Sequence, residues 1–219
     1  FSDKRESQNW IDDYGEDSDF VRIRVRGVFP RSGTIQFIGS ELAREAARRE
    51  VSVYVFDPLL ICVDVARFGD DESVIYFRKG RDGRSIPPVR LRGVDTMTLA
   101  SRAAEAYLHY RADGIFVDGG GVGGGVVDRL RQLRVPVIEV QFGGKSDNNF
   151  GSSESGIHYA NKRAEIWGST KEWLAVGAIP DEPELISGLS APEYGFKPTG
   201  EILREWSAPI DLLDVWRER

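Results

Sequence analysis

From Leu59 onward the chain alternates short apolar runs with turns. LLICVDVA (59–66) is almost continuously apolar, as a strand covered on both faces would be. SVIYFRK (73–79) follows after the turn ARFGDDE, and PPVRLRG (87–93) after the turn GRDGRS. Three strands joined by short turns predict an antiparallel meander. The period then changes. TMTLASRAAEAYLHYRA (96–112) has helical spacing, GIFVD (114–118) reads as a strand, VGGGVVDRLRQL (122–133) as a helix opened by glycine, and VPVIEVQF (135–142) as another strand. That half is βαβ, which requires parallel pairing. The predicted fold class is α/β: an RNase H-like mixed sheet, an antiparallel three-strand meander followed by βαβ units, flanked by helices.

Outside this core the signals are shorter. FVRIRVRGVFP (20–30) alternates like a half-exposed strand that Pro30 stops, and Ser40 is placed to cap a helix over ELAREAARRE (41–50). This opening section reads as an arm rather than core, giving a division into an arm or linker over 1–57 and a folded domain over 58–219. The loop FGGKSDNNFGSSESG (142–156) is too polar and glycine-rich to predict packing. A helix is predicted over 157–177, with Trp167 and Trp173 as packing residues, then a hairpin over YGFKPTGEILRE (194–205) turning around Pro198 to Gly200, and a last helix over 209–219.

Composition narrows the function classes. With 41% hydrophobic and 29% charged residues the chain is an ordinary globular sequence, and no apolar run approaches the roughly 18 residues a membrane crossing needs. A net charge of −6 argues against gripping nucleic acid by bulk electrostatics, but not against meeting it through bound metal. The single cysteine, Cys62, cannot form an internal disulfide and reads as a small core residue. His109 and His158 show no metal-ligand spacing.

The chemistry concentrates in two aspartates. Asp64 lies inside the apolar run LLICVDVA, where a carboxylate is costly without a partner. Asp118 ends GIFVD and precedes GGGVGGG. If the two strands are neighbours, both carboxylates project at one end of the sheet, where hard oxygen ligands suit Mg²⁺ or Mn²⁺ and a two-metal phosphodiester hydrolysis. The glycines would let a nucleic-acid backbone approach. The bland alternative is that Asp118 caps the next helix and Asp64 answers Arg67. Gly119, Gly121 and Gly124 also satisfy G-x-G-x-x-G, so a Rossmann-type oxidoreductase, with Glu139 as its ribose acid, is the competing reading, although the glycine turn comes late in the order of strands. FGGKS is similar to the end of a P-loop, but Glu139 stands where the first glycine belongs. Lys145, in the polar loop, is the candidate phosphate contact.

At DVARFGDDESVI, FVDGGGVGGGVVDRL and YANKRAEIW the sequence resembles the C-terminal nuclease domain of the large terminase subunit of tailed bacteriophages, over about residues 20–205. The resemblance implies an RNase H-like fold and metal-dependent endonuclease cleavage of concatemeric phage DNA in genome packaging, with Asp64 and Asp118 as catalytic metal ligands. It implies double-stranded DNA as substrate, and an N-terminal ATPase domain, the small terminase subunit and the portal as partners, in the cytoplasm of the infected bacterial host. No Walker motif occurs, so the ATPase is expected before Phe1. The family's third acidic motif is expected beyond Arg219; otherwise Asp211 or Asp214 in SAPIDLLDV supplies it. A non-catalytic docking module of a packaging complex is the remaining alternative.

Overall fold

The computed structural model describes residues 36–66, 72–146, 159–196 and 202–204, together with residues 8, 11, 25 and 26. Its centre is a five-stranded sheet of β1 (Leu59–Asp64), β2 (Glu72–Lys79), β3 (Val89–Arg92), β4 (Gly114–Asp118) and β5 (Val137–Val140), in the order β3-β2-β1-β4-β5. β1, β2 and β3 form the antiparallel meander, while β4 adds parallel to β1 and β5 parallel to β4. This is the expected RNase H-like arrangement. Around it lie α1 (Ser40–Arg48), α2 (Thr96–Tyr110), α3 (Gly123–Gln132), α4 (Lys162–Leu174) and α5 (Pro183–Ser190). A hairpin of β6 (Tyr194–Phe196) and β7 (Ile202–Arg204) follows, as its turn residues predict.

The alternation of side chains across the central strands sorts the molecule into two cores. Leu59, Ile61 and Val63 of β1 and Ile115 and Val117 of β4 pack with Leu99, Ala100 and Ala103 of α2 and Val126, Val127 and Leu130 of α3. Two connections hold this layer. Asp95 caps α2 by accepting from the Thr98 amide at 2.6 Å, and that bond holds its carboxyl below the usual aspartate range. Arg111 closes the same helix in the left-handed region.

On the opposite face, Val74 of β2 packs with Trp167 and Leu174 of α4, Leu185 and Leu189 of α5, and Phe37, Ile38, Ala43, Ala46 and Ala47. Residues 36–48, read from sequence as part of an arm, are thus built into the second core. The edge of Phe37 lies against Trp167. Arg49 donates to the carbonyls of Leu174 and Gly177 at 2.6 and 2.7 Å, tying the end of α1 to the end of α4.

Three local expectations need correction. Ser40 is the first helical residue rather than the cap: Gly39 occupies the cap position and makes no side-chain bond. The predicted helix over 157–177 starts later, where Asn161 accepts from the Ala164 amide at 2.9 Å and fixes Lys162 as the first residue of α4. Val25 and Arg26, inside the expected strand over 20–30, form a turn and a bend. The rest of that strand and the expected helix over 209–219 lie outside the described residues. Among the described residues no helix is long and apolar enough to cross a membrane.

Candidate active site

The register of the parallel pair brings the two aspartates together. Ile61, Cys62 and Val63 oppose Ile115, Phe116 and Val117, so the next position on each strand, the last of both, carries Asp64 and Asp118 at the same level. Val63 and Val117 face the first core, and alternation turns both aspartates to the other face. Asp64 also pairs across the sheet with Val74, a member of the second core. Both carboxylates therefore leave the sheet at the C-terminal edge of its parallel strands, on the side covered by α4. Asp64 is 4% exposed and Asp118 is half-buried, so the pair sits at the boundary between core and solvent.

The glycines shape the space beside it. Asp118 Oδ1 accepts from the Gly120 amide at 2.9 Å, and Gly121 takes φ +57, the left-handed region. Asp118 thus holds the turn and does not cap α3, whose cap position is Val122 with no side-chain bond. A side chain at Gly119 would run into Glu139, and one at Gly123 into the main-chain carbonyl of Asp118. The glycines thus let the Glu139 side chain and the main chain of Asp118 approach the turn closely.

The same geometry removes the dinucleotide reading. In a Rossmann sheet the strands around the glycine turn are all parallel, whereas β2 here runs antiparallel to β1 and to β3. The Gly120 amide, which a pyrophosphate would need, is taken by the carboxylate of Asp118. Glu139 is no ribose acid: it pairs with Arg131 at 3.2 Å and accepts from Gln141 at 2.8 Å.

Asp64 and Asp118 offer only carboxylate oxygens, a donor set that fits Mg²⁺ or Mn²⁺. Among the described residues no group of three or more His, Cys, Asp or Glu side chains is placed to hold a metal ion. Asp211 and Asp214, named as alternative third ligands, lie outside the described residues, as do Arg67 and His158. His109 is exposed in the last turn of α2 against Tyr110, away from the carboxylates. Burial pushes the Cys62 thiol up to about 11, with Arg78 acting weakly in the other direction, so it is no nucleophile near neutral pH.

Of the loop expected over 142–156, residues 147–156 lie outside the described residues, and its first residues are built onto the fold. Phe142 is buried, and the carbonyl of Gly144 accepts from the Lys162 amide at 3.0 Å, fastening the loop to the start of α4. Lys145 is exposed beside that junction. Sequence reasoning missed two residues here. Lys162 and Glu165, on the first turn of α4, form an ion pair at 3.3 Å in which the Glu165 side chain is only 3% exposed. A charged pair three residues apart at a helix start reads as ordinary surface, and only the tertiary placement of α4 distinguishes it.

No protein-family model matches the sequence, and no curated protein is similar to it. Solved structures do share its fold. A mutant nuclease domain of the large terminase subunit gp2 of bacterial virus Sf6, with manganese and beta-thujaplicinol, superposes with a TM-score of 0.62 at 16% identity, over 82% of this chain and 95% of that one. The large terminase nuclease from thermophilic phage G20c with bound magnesium gives 0.56 at 14% identity, over 84% and 94%. The large terminase nuclease domain of Thermus phage P74-26 gives 0.53 at 12%, over 82% and 90%.

Proposed function

We propose that this chain is a divalent-metal-dependent DNA endonuclease, the nuclease domain of a phage packaging terminase. The observation that carries the reading is the register of β1 on β4, which sets Asp64 and Asp118 side by side at the sheet edge beside the glycine turn. The likeness in fold to metal-bound terminase nucleases supports it.

In this reading Asp64 and Asp118 hold two Mg²⁺ or Mn²⁺ ions together with a third acid, beyond Arg219 or at Asp211 or Asp214. When bound, the ions supply an activated water and charge stabilisation for the leaving oxygen. The protein's own part is positional. Burial and the strand pairing fix Asp64, the Gly120 amide orients Asp118, and the glycine turn admits the phosphodiester backbone. A water oxygen attacks phosphorus and gives up a proton to solvent, while the P–O bond to the departing sugar breaks and the freed sugar oxygen takes up a proton. The substrate is double-stranded DNA, cut with relaxed sequence preference because no base-reading element is present among the described residues. The segment before Gln36 would join the folded domain to a preceding ATPase domain, and the small subunit and portal would complete the machine in the host cytoplasm.

Plasmid nicking tests the reading: EDTA abolishes it and Mn²⁺ restores it. A protein that includes the third acid and still leaves DNA intact in Mn²⁺ is instead the non-catalytic docking module. Lys145 is a phosphate contact in the same proposal. Lys145→Ala weakens DNA binding equally across sequences and lowers the slope of log K against log salt by about 0.9, the contribution of one released counterion. An unchanged slope removes Lys145 from the DNA path.

A further inference from the structure

Resting on the nuclease reading, we infer that Lys162, held by Glu165, positions the scissile phosphate over the Asp64 and Asp118 carboxylates. The placement follows from α4. Its first residue is fastened to Gly144, four positions past Val140, and Val140 pairs with Asp118. Its far end is fastened to Arg49, and Ala178 beyond it accepts from the Gly83 amide at the opposite edge of the sheet. The helix thus begins at the edge where the aspartates emerge, and it covers the face toward which they point.

Side-chain chemistry supplies the rest. Glu165 is buried to 2% residual exposure, and its carboxylate meets the Lys162 ammonium at 3.3 Å, while Lys162 retains 21% exposure of its own side chain. A buried carboxylate under a partly exposed ammonium sets the direction of a flexible side chain whose head still reaches solvent. Arg163 lies with its guanidinium 6.0 Å from the centre of the Phe142 ring. Lys162 is therefore the cation of this turn suited to a phosphate at the site rim. The ammonium binds as a point charge and transfers no proton. Positive charge fixed where the phosphate gains negative charge favours the transition state over the bound substrate.

The test compares Lys162→Ala, Lys162→Arg and Glu165→Gln with the parent. DNA binding is measured by fluorescence anisotropy in EDTA across a salt series, plasmid cleavage in Mn²⁺, and folding by thermal melts. Lys162→Ala is expected to lose on the order of 100-fold in kcat and to lower the salt slope of binding by about 0.9. Lys162→Arg restores the slope and most of the rate. Glu165→Gln keeps the slope and lowers kcat with little change in KM, because the cation remains but its direction does not. A folded Lys162→Ala that cleaves and binds as the parent does overturns the inference; because Lys162 is partly exposed, this arm stays readable even if Glu165→Gln fails to fold. A parent that carries the third acid and never cleaves overturns the nuclease reading itself, whereas a cleaving parent with an indifferent Lys162 overturns only this inference.

Discussion

Asp118→Asn loses at least about 1,000-fold in Mn²⁺-dependent cleavage, a rise of about 4 kcal/mol in the barrier, while the protein melts within a few degrees of the parent in EDTA. The two halves of this expectation come from different atoms. Asparagine keeps an Oδ1 that can accept from the Gly120 amide, so the turn that Asp118 now holds at 2.9 Å survives. What is lost is the negative charge, and with it the affinity of a hard cation for this end of the sheet. Asp118 suits the experiment better than Asp64, since it is half-buried and the deeper carboxylate belongs more to the core. A variant that retains full cleavage would show that Asp118 serves only the turn. One that melts far lower would show that its charge is structural.

Gly123→Ala is the matching test of the scaffold. The added methyl would meet the main-chain carbonyl of Asp118, and the neighbour that must yield is backbone rather than a swinging side chain. Overpacking against fixed atoms costs about 3 kcal/mol here, or about 10 °C in melting temperature. The displaced atom belongs to Asp118, so cleavage falls even in the fraction that folds. Gly124→Ala is the control from the same run. Its nearest contact is the Gly119 carbonyl at 3.9 Å, and alanine is the better helix former, so that variant is neutral or slightly stabilised. Thermal melts of the pair decide the matter. Equal behaviour would mean that the turn relaxes and that glycine is not required at 123.

That contrast shows where sequence reading succeeds and where it stops. Strand order was legible because period and turn chemistry agree from Leu59 to Phe142, and a meander followed by βαβ units leaves few right-handed ways to pair. Asp64 was legible because an ionised group in an apolar run demands an explanation. The glycine run was ambiguous because G-x-G-x-x-G records spacing and not direction. Only the antiparallel β2, and the Gly120 amide already taken by Asp118, separate the two chemistries. Phe37 and Ile38 were passed over because the core they join is assembled from α4, α5 and Val74, all distant in sequence. YANKRAEIW holds Lys162 and Glu165, but no role fell to them for the same reason: nothing local tells a solvated ion pair from one whose carboxylate is buried.

The pairing of β1 with β4 also bears on how the chain acquires its activity. β1 meets β2 through a short turn, but it reaches β4 only after β2, β3 and α2 have intervened in sequence. Closing that long loop costs chain entropy that local hairpins do not pay, and such pairings set the pace of folding. On a ribosome the meander can assemble while the residues of GIFVD are still unsynthesised. The two aspartates are then apart until the parallel strand docks, so the pair that the proposed metal site needs forms only after β4 is made, and on that reading an incomplete chain carries no active cutter.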